Sequence, residues 1–176
     1  PSTGKDAMSP IELPDILIVI LNVVTIPLIH LGVSWLFVQM PGHWFRPDAF
    51  LFREKPGENG GLIYESLFAI RSWKNAMPDG AAWFNGGFSK KKFTSSDPNY
   101  IREFIIETCR GEMAHLAQFA VLTLLLLWNP WPANIVIIVY ALLSNFPCTI
   151  LQRHTRFRMT ALLNKVEPHD PIGNVR

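Results

Sequence analysis

Apolar and polar positions divide the chain into three apolar runs and one long charged stretch. Residues 15–40 read DILIVILNVVTIPLIHLGVSWLFVQM, with no lysine or arginine. That length suffices to cross a hydrocarbon core, which needs about 20 mostly apolar residues. Pro27 predicts a kink there, which membrane helices tolerate when neighbours satisfy the freed carbonyl. Two more runs, 113–128 and 131–151, are separated by the tight turn NPWP. Trp128 and Trp131 flank that turn, as an aromatic belt at a membrane boundary does. The pattern predicts an all-α integral membrane protein. It has about three transmembrane helices, the last two forming a helical hairpin over 113–151.

Between the first run and the hairpin, the connection 41–112 carries a different pattern. GLIYESLFAIRSWKNAM, residues 61–77, places Leu62, Ile63, Leu67, Ile70 and Trp73 at helical spacing beside Glu65, Arg71 and Lys74. This predicts one amphipathic helix lying on a membrane surface. MPDG ends it with turn chemistry, and WFNGGFSKKKF follows, glycine-rich and basic. Lys90, Lys91 and Lys92 read as a loop held against anionic lipid, with a specific phosphate-binding loop as the alternative. From Pro98 the chain returns to helix and runs into the second apolar segment.

Charge placement adds an orientation. Net charge is only +2 over 176 residues, too small to suggest a nucleic-acid partner. The segment before the first run has Lys5 alone, and the hairpin turn has no basic residue. Lysines and arginines gather in the connection and in the tail 152–176. The positive-inside rule then puts the N-terminus outside and the connection and tail in the cytoplasm. Three spans alternate correctly with that assignment. The expectation is one membrane domain over 1–176, multi-pass in the cell (inner or plasma) membrane. The two cysteines, Cys109 and Cys148, show no metal or redox spacing and read as small buried residues.

The candidate chemistry lies where the second run begins, in IIETCRGEMAHL. At about 100° per residue, Thr108, Glu112 and His115 fall on one stripe, and Glu107, Gly111 and His115 on the next. Ionisable groups at that depth are expensive and face protein or a wet cavity. Three readings stay open. Glu112 could orient His115 as a general base on a hydroxyl. Glu-x-x-His could be half of a metal site, although no second copy exists here. Or the charges could form an interfacial ladder joining Glu107 to Arg110 and Arg153. The second constellation, QRHTRFR, sends Gln152, Arg153, Arg156 and Arg158 out of the third run. An antiparallel hairpin brings it beside Glu107, Glu112 and His115. Arginine forks there suit phosphate or carboxylate, although ordinary flanking charge gives the same pattern.

Familiar catalytic signatures are missing: no GxSxG, HExxH, P-loop or GxGxxG occurs. A His-x4-Asp acyltransferase motif needs an acid after His115, where Phe119 and Ala120 stand. The chain nevertheless resembles the glycosyl-4,4'-diaponeurosporenoate acyltransferases. These are small membrane proteins known from the last step of staphyloxanthin synthesis. The resemblance rests on FRPDAFLFREKPGENGGLIYESLFAIRSWKNAMPDG, IIETCRGEMAHL and SNFPCTILQRHTRFRMTALL. Two patterns carry it. Glu-Thr-x-Arg-x-Glu-x-x-His falls on Glu107, Thr108, Arg110, Glu112 and His115, and Gln-Arg-x-x-Arg-x-Arg on Gln152, Arg153, Arg156 and Arg158. A further element falls on Trp73, Lys74, Asp79 and Gly80, and Phe157 stands where the pattern has proline.

The resemblance implies transfer of a fatty acyl group to a hydroxyl of a membrane-embedded glycolipid, such as a glycosylated carotenoid. The partners are then a membrane lipid acceptor and an acyl-CoA or acyl-carrier donor. No cofactor or metal is expected, and a homo-oligomer or larger membrane complex stays open. The expected catalytic residues are His115 as base, Glu112 to fix its tautomer, and Glu107. Arg110, Arg153, Arg156, Arg158, Gln152, Trp73 and Lys74 are the expected substrate-binding set, with Arg153 and Arg156 on the oxyanion or the donor's phosphate. The rival expectation is a non-enzymatic subunit that binds lipid or a partner protein, its polar residues acting as glue between helices.

Overall fold

The structure is a computed structural model that describes residues 10–77, 83–90 and 93–167. Lys5, Asp79, Gly80, Lys91, Lys92 and the end of the tail lie outside the described residues. Among the described residues every regular element is helical. Three helices carry the architecture: α1 (Asp15–Gln39), α4 (Pro98–Leu122) and α5 (Trp131–Val166), while α2 (Leu62–Phe68) and α3 (Ile70–Trp73) lie in the connection.

Local chemistry fixes the element boundaries. Asp97 caps α4, its side chain accepting from Asn99 N–H at 2.9 Å, and Pro98 opens the first turn. Such a cap contributes about 1 kcal/mol. α4 tightens into a 3₁₀ segment, Thr123–Leu127, before Asn129 and Pro130 turn the chain. α5 then returns antiparallel along α4, so Leu163 packs on Ile101 and Ile105 while Gln152 lies across Gly111. This is the hairpin that the apolar runs predict. α1 lies along the other side of α4, also antiparallel. Arg110 reaches the end of α1, Gln118 reaches its middle at His30, and Asn129 meets Asn22. α1 and α5 therefore flank α4 and leave a cleft between them.

Two helices, α1 and α5, are long and apolar enough to cross a membrane. α1 buries no residue at all. Val23 and Leu143 are each exposed by about 70%, within bands of exposed aliphatics on both helices. A protein in water rarely leaves so much apolar surface bare. α5 has 36 residues, about 54 Å at 1.5 Å per residue, so its last turns project beyond a hydrocarbon core of about 30 Å. The third expected crossing is not among these helices. Its apolar run is divided between the last turns of α4 and the 3₁₀ segment, and the first half of α4 is charged.

The expected amphipathic helix over 61–77 is not one helix. Ala69 sits in the left-handed region at φ 45°, and the chain breaks there into α2, α3 and a 3₁₀ turn, Lys74–Ala76. The break is held on both sides. Glu65 accepts from Arg71 N–H at 3.2 Å, and Trp73 Nε1 donates to Phe68 O at 2.7 Å. Periodicity counts apolar spacing and does not register a single left-handed residue.

Candidate active site

The charged residues of the two motifs first pair with each other. Glu112, 2% exposed, accepts from Arg153 Nη1 at 2.7 Å and lies 2.6 Å from Arg156 Nη1. Arg153 turns its other edge to Glu58, donating from Nε at 2.9 Å and from Nη2 at 3.1 Å. It also donates to Leu51 O and Arg53 O, so all five of its N–H groups are taken up. Arg156 is 2% exposed, between the rings of Phe52 and Phe157, and touches Cys109 Sγ at 3.7 Å. Two arginines and two glutamates thus form a buried, neutral lattice that ties α4, α5 and the connection together. Buried charge is tolerated when so compensated.

Tyr64 completes the lattice by donating to Glu58 and accepting from Arg153 Nε. Burial raises the Glu58 carboxyl, but hydrogen bonds from Arg153, Tyr64 and Lys55 N–H outweigh it and hold the group below its ordinary value. Burial, with the adjoining Glu58, pushes the Tyr64 phenol up to about 12. Gly61 makes room here. It sits at φ 87°, and a Cβ would come within 3.1 Å of Phe157, whose ring stacks on Tyr64.

Arg110 is likewise engaged. Its Nε donates to Glu107 at 2.8 Å, and its Nη1 donates to Phe37 O, Val38 O and Met40 O. α1 has no basic residue in its last turn, and Arg110 supplies the cation that satisfies its orphan carbonyls.

Above this lattice, the cleft between α1 and α5 encloses a cavity of about 350 Å³. His115, Gln118 and Arg110 from α4 line it, with His30 from α1 and Tyr140 and Gln152 from α5. The two histidines differ in what they leave open. Gln118 Nε2 donates to His30 O at 3.1 Å and to Ser34 Oγ at 2.9 Å, so its Oε1 accepts from His30 Nδ1 at 3.3 Å. That tautomer makes His30 Nε2 an acceptor for Tyr140 O–H at 3.0 Å. Both nitrogens of His30 are occupied. Asn145 Nδ2 donates to Ala141 O at 2.9 Å, which turns its Oδ1 to His115 Nδ1 at 3.3 Å. His115 Nδ1 therefore carries the proton, and Nε2 keeps its lone pair on a ring that lines the cavity.

The expected pairing of Glu112 with His115 is thus replaced. The carboxylate is claimed by two guanidinium groups, a stronger attraction than a neutral imidazole offers, and Asn145 orients the ring instead. Glu107 faces Arg110, and Trp73 is spent on Phe68 O. Of the expected binding set, Arg110 and Gln152 line the first cavity, and Gln152, Lys74 and Arg158 line a second one of about 420 Å³. Arg153 and Arg156 line neither. Gly111 admits the Gln152 side chain, whose Cδ would lie 2.9 Å from an added Cβ. Sequence reasoning passed over His30, Gln118, Glu58 and Tyr64. His30, alone in an apolar run beside Ser34, was the one visible signal among them.

A family model described as glycosyl-4,4'-diaponeurosporenoate acyltransferase matches residues 41–165. A Staphylococcus aureus (strain Newman) protein of that name is 28% identical over 149 residues, covering 81% of this chain and 88% of its own. Its counterparts in strains USA300 and NCTC 8325 are 27% identical over the same shares. No solved structure matches. The matched span holds both motifs, the buried charge lattice and α4–α5, and the chain belongs to the glycosyl-4,4'-diaponeurosporenoate acyltransferase family.

Proposed function

We propose that the protein is a membrane acyltransferase that moves a fatty acyl group onto a hydroxyl of a glycosylated carotenoid or similar glycolipid, with His115 as general base. Family membership supports the reaction class, and the names of the relatives supply the acceptor class. One observation carries the choice of base: His115 lines the cavity with its Nδ1 held by Asn145, whereas His30 has both nitrogens engaged by Gln118 and Tyr140. The cleft between α1 and α5 suits an acceptor that arrives from the bilayer, with its sugar end toward His115.

In this reading His115 Nε2 takes the proton as the sugar oxygen attacks the acyl carbonyl carbon. A C–O bond forms, and the carbonyl electrons move to oxygen. Gln152 supports that oxyanion by donating from its carboxamide, since it borders the cavity and makes no hydrogen bond among the described residues. Collapse of the intermediate expels the donor's leaving group, which takes the proton back from the imidazolium. The connection and the end of α5 face the cytoplasm, where acyl thioesters are made.

A general base contributes about 10²–10⁴-fold. His115→Ala should lower turnover by that order, measured with purified protein and radiolabelled acyl donor, while its unfolding temperature stays that of the wild type. Full activity in His115→Ala removes the assignment. His30→Gln tests the choice between histidines and should cost far less in turnover.

A further inference from the structure

The second cavity differs from the first in its charge. Among the described residues, Lys74, Lys90, His154 and Arg158 border it, and no carboxylate does. Lys90 reaches across the gap between connection and helix, donating to Glu107 O at 3.3 Å. Glu65 stands behind His154 at 3.9 Å and is not on the lining. Phe93 and Phe104 form an apolar side wall. The two cavities share Met77, Lys90, Leu151 and Gln152, so they adjoin as neighbouring lobes. From Asn145, the partner of His115, to Arg158 is 13 residues of α5, about 20 Å at 1.5 Å per residue.

From this arrangement we infer that the basic lobe binds the phosphate of a phosphopantetheine thioester, whose arm runs past Gln152 and delivers the acyl carbonyl to His115. The assignment rests on the acyl-transfer reading above and adds to it the site of the donor's phosphate, moved from Arg153 and Arg156, which line neither cavity, to the basic lobe. The chemistry matches at three points. A lobe bordered by two lysines, an arginine and a histidine selects an anion, and arginine and lysine together suit a phosphate. A span of about 20 Å along α5 between Asn145 and Arg158 suits a long, flexible arm with an anionic end. A thioester at the junction gives the reaction a balanced end: attack by the sugar oxygen breaks the C–S bond, and the thiolate takes the proton held by His115 to leave as a free thiol. Coenzyme A and an acyl carrier protein present the same phosphopantetheine chemistry.

The test uses the full chain in detergent micelles and three thioether probes that cannot be hydrolysed. These are S-hexadecyl-coenzyme A, S-hexadecyl-phosphopantetheine and S-hexadecyl-pantetheine, which lacks phosphate. A charge-assisted contact predicts that the two phosphorylated probes bind at least about 10-fold tighter than pantetheine. Arg158→Ala and Lys74→Ala should each erase most of that difference without weakening the pantetheine probe. Either variant suffices should the other fail to fold. Binding of hexadecyl-acyl carrier protein with weak binding of the coenzyme A probe keeps the phosphate site and identifies the carrier protein as the source. Equal affinity for all three probes, or a phosphate preference untouched in both variants, overturns the inference. So does transfer that proceeds only from phosphatidylglycerol vesicles. Phosphate-dependent binding without sugar acylation would sink the acyl-transfer reading and leave the site, whereas acylation indifferent to Lys74 and Arg158 would do the reverse.

Discussion

Glu112→Gln removes the negative charge at the centre of the buried lattice and leaves its volume unchanged. The wild-type group of Glu58, Glu112, Arg153 and Arg156 sums to zero, so the variant holds one uncompensated positive charge. Arg153 keeps its two-pronged pairing with Glu58, at 2.9 and 3.1 Å. Arg156 keeps nothing comparable. Its Nη1 loses the carboxylate at 2.6 Å, and its Nε and Nη2 already lack partners among the described residues. Breaking a buried pair in this way costs about 3–5 kcal/mol. For a chain of this size that corresponds to a fall in unfolding temperature on the order of 10 °C. Tryptophan fluorescence during heating in detergent reads it directly. Replacing the stranded cation as well, in Glu112→Gln/Arg156→Met, should recover much of the loss, because an apolar side chain between Phe52 and Phe157 needs no counterion. If Glu112→Gln unfolds at the wild-type temperature yet loses turnover 100-fold, the lattice argument is refuted and the carboxylate belongs to the chemistry.

The other expectations are smaller or more local. Gly111→Ala pushes the end of a flexible side chain, Gln152, which lies 2.9 Å from the new Cβ. Its stability should stay within about 1 kcal/mol while turnover drops, and unchanged turnover would free Gln152 of any part in the reaction. Glu58 has its carboxyl lowered in the fold, so its contribution is present above the ordinary glutamate value and is lost as pH falls through the lowered one. Glu58→Gln should therefore flatten the acid limb of stability against pH, and an unaltered limb would discount the pairing with Arg153. At the far end of the helices, Asn22 and Asn129 exchange hydrogen bonds at 2.7 and 3.1 Å, and Trp128 Nε1 adds a third. Asn129→Ala should cost about 0.6–1.7 kcal/mol, the range for hydrogen bonds between membrane helices, with turnover retained at permissive temperature.

Sequence by itself determined the helical class, the bounds of α1, the start of α5, the hairpin turn at NPWP and the residues of both motifs, while α5 continues as helix to Val166, 15 residues beyond the end of the apolar run at 151. These are local or composition-driven features. A run of aliphatics, a capping aspartate or a proline pair acts within a few residues of itself. The role of each charged residue was decided only by tertiary structure. Spacing on α4 brought Glu112 near His115, but it could not weigh that neighbour against Arg153 and Arg156, which arrive from 41 and 44 positions further along the chain. Nor could it show that Glu58 and Tyr64 from the connection claim the far side of Arg153, or that His30 and His115 meet across one cavity with different nitrogens engaged. The physical reason is competition. A buried hydrogen-bonding group takes the strongest partner that the packed chain offers, and only the packing of α1, α4, α5 and the connection fixes which partners are within reach.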